Sequence, residues 1–116
     1  MSGPSETSVI TLRPEDHAVY TPGGMGKATL FESPRLLVGL NAFEPGQTHR
    51  LHTHPGMDKI YMVLDGRATL LLDDRTETVD RGTMTIVPEG VAHGLRNDSN
   101  ERLLVLAVLA PSPRHG

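Results

Sequence analysis

The chain has 116 residues and no cysteine, so disulfides and thiolate metal sites are excluded, and the length is that of one domain with a core of its own. Its formal charge of -3, with Lys and Arg scattered along the chain, argues against nucleic acid or an anionic membrane as a partner. The absence of cysteine fits a reducing compartment, and the expected location is cytoplasmic. No basic or apolar signal region follows Met1, and the longest apolar run, Leu103 to Ala110, is too short to span a bilayer.

In chain order, residues 1–7 are polar and read as a disordered tail. Residues 8–111 read as the folded domain, and residues 112–116 as a loose C-terminal tail. Turn punctuation recurs within the domain, at Pro22-Gly23-Gly24, Ser33-Pro34, Pro45-Gly46, Pro55-Gly56, Asp65-Gly66, Arg81-Gly82 and Pro88-Glu89-Gly90. The segments between are short and rich in Val, Ile, Leu and Thr. They predict strands near 8–12, 17–20, 27–32, 35–43, 47–54, 59–64, 67–72, 76–80, 83–87, 91–96 and 101–109. Short strands at this spacing imply an all-β sandwich or barrel. Asp65-Gly66, between two apolar runs, reads as a hairpin turn. Residues 101–110 have helix-like composition, but their length, Pro111 and the β context favour a strand buried on both faces.

The chemistry concentrates between Gly46 and Gly66, which holds three of the six histidines: His49, His52 and His54. Alternate side chains of a strand share a face, so His52 and His54 can chelate one metal ion. His49 lies three residues before His52, and strand parity turns it to the other face, as a rim or surface residue. His17 and His115 carry no assigned role. Residues 82–97 bring a further histidine, His93, behind a Pro-x-Gly turn.

These two blocks resemble the paired motifs of the cupins. Gly82, Pro88, Gly90, His93 and Asn97 match the second motif at every position, and Gly46, His52, His54 and Gly66 match the first. The resemblance implies a single-domain antiparallel β-barrel of the jelly-roll or double-stranded β-helix type. It also implies a divalent transition metal (Fe, Mn, Ni or Zn) on His52, His54 and His93. One position departs: where the first motif has a ligating Glu, this chain has Lys59, a cation that cannot ligate while protonated. Asp58, one residue earlier, fits as a ligand only if a bulge shifts the register.

Three site readings follow: three histidines alone, three histidines with Asp58, or a metal-free anion site using Lys59 and the histidines. The function implied first is a metal-dependent, dioxygenase-like oxidoreductase acting on a small organic molecule, with Lys59 as a candidate catalytic residue. A metal-assisted isomerase, lyase or cyclase and a non-catalytic small-molecule-binding module are the alternatives. By the same resemblance the chain is expected to form a homodimer, with residues 8–32 contributing. Asn97 is expected to cap a turn, and Tyr61 to pack as a core or pocket-wall residue.

Overall fold

A computed structural model describes residues 8–113. Among these residues nine strands form two antiparallel sheets. They are β1 (Gly26–Ser33), β2 (Leu36–Phe43), β3 (Thr48–His52), β4 (Asp58–Asp65), β5 (Arg67–Leu71), β6 (Thr76–Asp80), β7 (Met84–Val87), β8 (His93–Arg96) and β9 (Leu103–Ala110). One sheet has the order β1-β2-β9-β4-β7, the other β3-β8-β5-β6. From β2 to β5, and again from β6 to β9, the chain changes sheet at every connection, which rolls the two sheets around a common core. That core is Phe43, Tyr61, Val63, Ala68, Leu70, Val79, Val87, Leu95, Leu103, Val105 and Ala107.

The Leu103–Ala110 segment is the central strand of the larger sheet, paired with β2 on one side and β4 on the other. Two neighbours and two covered faces explain why it is apolar throughout and lacks alternation. β4 does alternate: Lys59, Tyr61 and Val63 are buried, and Asp58 and Asp65 are exposed. The expected 59–64 strand therefore sends its odd-numbered side chains inward.

Two expected strands do not form. Residues 8–13 have no regular structure, and Pro14–His17 is a short 3-10 turn that ends where the 17–20 strand was expected to begin. Residues 17–20 find no strand partner. Instead Ala18 and Tyr20 pack on the outer face of the larger sheet, over Leu40, Ala42 and Leu104. Apolar residues in such a segment can satisfy a packing surface without joining a ladder, which propensity does not distinguish.

Asp65-Gly66 is not a hairpin. β4 pairs with β7 and β9, whereas β5 pairs with β6 and β8, so the dipeptide marks the corner where the chain leaves one sheet for the other. Gly66 has φ +83°, and a Cβ there would lie 2.3 Å from the Arg102 carbonyl oxygen. Both facts require glycine.

Asn97 is fully buried and ties the ends of the site-bearing strands together. Its side-chain amide donates to the carbonyls of Phe43 and Glu101, and its Oδ1 accepts from Ser99. Backbone bonds between Gly46 and Asn97 and between Asn97 and Gln47 hold the start of β3 beside the end of β8. This is the turn-capping role expected from the sequence, and it fixes the pair of strands that carry His52 and His93.

Candidate metal centre

β3 and β8 are antiparallel neighbours, and His52 stands directly across from His93. Residues opposite one another in such a pair present their side chains on one face. His54, two residues past His52, returns to that face. The rings of His52 and His93 have centroids 4.4 Å apart, those of His52 and His54 4.8 Å, and those of His54 and His93 5.5 Å. One nitrogen from each of the three lies within 4.8 Å of the others. Metal–nitrogen bonds of about 2.0–2.1 Å would set tetrahedral ligand atoms about 3.3 Å apart. Modest ring rotation covers that difference.

Two of the three rings are oriented by backbone. His52 Nδ1 lies 2.7 Å from the Arg50 carbonyl, and His93 Nδ1 lies 2.8 Å from the Val91 carbonyl. A carbonyl can only accept, so Nδ1 carries the proton in each ring and Nε2 keeps its lone pair. Those Nε2 atoms are buried and have no hydrogen-bond partner among the described residues. Buried polar atoms left unpaired are costly, and a cation is the natural partner for converging lone pairs. The donor set therefore fits a divalent transition metal, for which neutral imidazole is a suitable ligand.

Burial keeps the histidines neutral. It lowers the His93 and His54 pKa values to about 4 and that of His52 below its ordinary value. Lys59 adds to the lowering in each.

Lys59 points inward and is 3% exposed, with its ammonium 4.7 Å above the Tyr61 ring. Burial first, then the charge of Lys27, lowers its pKa to about 8. Tyr61 is buried, meets the edge of His93 at 5.9 Å, and burial raises its hydroxyl pKa. The hydroxyl has no hydrogen-bond partner among the described residues.

Asp58 faces the other way. It is exposed, and its carboxylate accepts a 3.0 Å hydrogen bond from the Glu89 backbone N–H. The Glu89 carboxylate in turn accepts from Gly56 N–H at 2.7 Å. The bulge that would bring Asp58 inward is absent at its end of β4, whose irregularity lies between Val63 and Asp65. The structure thus gathers His52, His54 and His93 with Lys59 beside them, and sets Asp58 apart as an anchor between two loops.

His49 corrects the parity argument. Three steps along β3, from His49 to His52, match two along β8, from Leu95 to His93. The extra residue is a bulge, and it swings His49 onto the face of His52. The two rings stack with centroids 4.4 Å apart, and His49 Nδ1 is buried without a hydrogen-bond partner among the described residues. Burial, then His52, lowers the His49 pKa to about 3. Gly94 makes the bulge possible, because a Cβ there would lie 2.6 Å from the His49 carbonyl oxygen. A glycine directly after the histidine of β8, opposite a histidine pair three apart, is the sequence signal for this arrangement.

A cavity of about 410 Å³ opens beside the histidines, with Lys27, Asn41, His49, His52, His54 and Lys59 among its walls. Lys27 had no signal in the sequence. It reaches the site only because β1 pairs with β2, setting Lys27 across from Asn41.

Comparison with known proteins agrees with this architecture. The family model described as "Cupin domain" matches residues 39–109. An uncharacterized protein of Streptomyces coelicolor is 40% identical over 76 residues, covering 66% of this chain and 70% of that one. A crystal structure from Thermus thermophilus aligns with a TM-score of 0.84 at 35% identity, over 89% of this chain and 98% of that one. A conserved Klebsiella pneumoniae protein with a double-stranded β-helix domain aligns with a TM-score of 0.86 over 91% of this chain and 93% of its own. At 20% identity the latter is a likeness of fold alone.

Proposed function

This chain belongs to the cupin family, and on that premise we propose that it is a metal-dependent, dioxygenase-like oxidoreductase acting on a small organic molecule in the barrel cavity. The observation that carries the proposal is the convergence of three neutral imidazoles, two with orphaned and buried Nε2 atoms, beside that cavity, whose wall includes His52 and His54. His52, His54 and His93 would hold the ion, one of Fe, Mn, Ni or Zn. A bound redox-active ion (Fe, Mn or Ni) would supply dioxygen chemistry and Lewis acidity, whereas Zn would supply Lewis acidity alone.

The chain's own residues then do the rest. The Arg50 and Val91 carbonyls hold His52 and His93 in the ligating tautomer. The larger sheet supplies one wall of the cavity, through residues of β1, β2, β4 and β9. Lys59 keeps its proton at neutral pH, but burial makes that proton easier to give up than an exposed lysine's. It stabilises, or protonates, an enolate or alkoxide oxygen of the substrate.

The same Lys59 favours a second reading, a metal-assisted isomerase or lyase in which proton transfer alone is needed. The two are separated by loading the protein with each ion in turn and measuring dioxygen uptake over a panel of small metabolites. The first reading expects uptake that is lost in His52→Ala. Turnover without uptake moves the assignment to the second, and binding without turnover to a non-catalytic module.

A cytoplasmic homodimer completes the proposal. Among the described residues no helix is long and apolar enough to cross a membrane. Met84 and Ile86 of β7 are 51% and 66% exposed on the larger sheet. Ile10 and Leu12 border an apolar groove with Leu30, Leu36, Val38 and Leu106. A second copy would cover both, with residues 8–32 contributing.

A further inference from the structure

The cavity wall carries two lysines and no carboxylate. Lys59 is almost wholly buried, yet no hydrogen bond or ion pair to its ammonium is found among the described residues. The electrostatic influences on Lys59 and on the four neighbouring histidines come from burial, from the Arg50 and Val91 carbonyls, from one another and from Lys27, and none comes from an acidic side chain. A buried ammonium without a counter-ion is expensive, and it favours a ligand that brings one.

The placement of the two lysines says more. Lys27 is on β1 and Lys59 on β4, with β2 and β9 between them in the sheet. Three inter-strand steps put about 14 Å between those strand axes. Both lysines line one cavity from strands at the two ends of that span, so a single carboxylate does not serve both as well as a ligand with an acidic group at each end. The volume of about 410 Å³ corresponds to roughly a dozen water-sized groups. No arginine lines the cavity, and a phosphate would favour arginine's forked donors.

We propose that this cavity is a subsite for a small dicarboxylate of four to six carbons, one carboxylate held by Lys59 in the interior and the other by Lys27 at the mouth. Asn41 lies across from Lys27 and lines the same wall, where its amide can donate to the outer carboxylate. The proposal deepens the enzyme reading, on which the subsite's role as a substrate site rests, but the binding itself needs only the lysines.

The test is calorimetric titration of succinate and of butyrate, its singly charged counterpart, into chelator-treated and metal-loaded protein, with metal content measured in parallel. Succinate should bind saturably and at least about tenfold more tightly than butyrate. Charge-assisted bonds of the usual strength imply a loss of roughly ten- to hundredfold in Lys59→Met, and a smaller one in the more exposed Lys27→Ala. Equal binding of succinate and butyrate, or unchanged succinate affinity in folded Lys59→Met, overturns the proposal. If Lys59→Met does not fold, Lys27→Ala decides, and unchanged preference for succinate there overturns it. Preference for succinate in protein that takes up no metal would reject the metal reading and leave the subsite standing. Metal uptake without that preference would do the reverse.

Discussion

Asp58 and Lys59 are neighbours with opposite fates, and strand alternation decides which does what. Lys59 is turned into the barrel, and Asp58 accepts a hydrogen bond from Glu89 at the surface. Asp58→Ala is therefore expected to leave metal stoichiometry unchanged and to lower stability by about 0.5–1 kcal/mol, as for an exposed backbone cap. Metal analysis with a denaturant melt checks this, and a loss of metal would return Asp58 to the ligand set. The histidines make a second prediction at this scale. Burial lowers the pKa values of His54 and His93 from 6.5 to about 4. Between those values the unfolded chain binds more protons than the folded one, so stability rises with pH across that window. In metal-free protein, stability should be full above about pH 6.5 and fall as the pH drops towards 4. Denaturation measured across that range should show the slope, and a flat profile would mean the rings are solvated.

At the scale of elements, the second-motif glycine turns and the grouping of His52, His54 and His93 were legible because the two motifs fix their spacing, whereas the His52–His93 strand pairing is known only from the fold. The sequence left open which of Asp58 and Lys59 turns inward, because the period-two rule sets the two on opposite faces without saying which face is the interior. His49 was misplaced by that rule, because one extra residue in β3 reverses parity and only the partner strand reveals it. Lys27 was invisible for a related reason: its place in the cavity depends on which strands pair, a long-range fact without a local signature. Asp65-Gly66 looked like a hairpin because the dipeptide reports a bend, not which sheet the chain enters next. The bulge itself can be tested. Gly94→Ala would push a methyl against the His49 carbonyl, where an ideal Cβ lies 2.6 Å away. It should cost roughly 1–3 kcal/mol as an overpacking change, and weaken metal binding by displacing His52. A variant of native stability and native metal affinity would show that the bulge does not set the site.

At the scale of the whole molecule, one barrel presents a cationic, histidine-rich interior and an apolar outer sheet. Ile86, 66% exposed, is the most direct probe of the outer face. Ile86→Asp should convert a dimer to a monomer in light scattering, since a buried charge at an apolar interface is strongly unfavourable. An unchanged dimer would move the interface elsewhere, and a wild-type monomer would remove it. The interior carries the central claim, which is that His52, His54 and His93 together hold one metal ion. Elemental analysis of protein loaded with each candidate ion and then desalted tests it most directly, with His52→Ala and His93→Ala as controls. The account predicts one ion per chain in the wild type and a large loss in both variants. No retained ion from any of the four metals, or retention that both variants preserve, would contradict it.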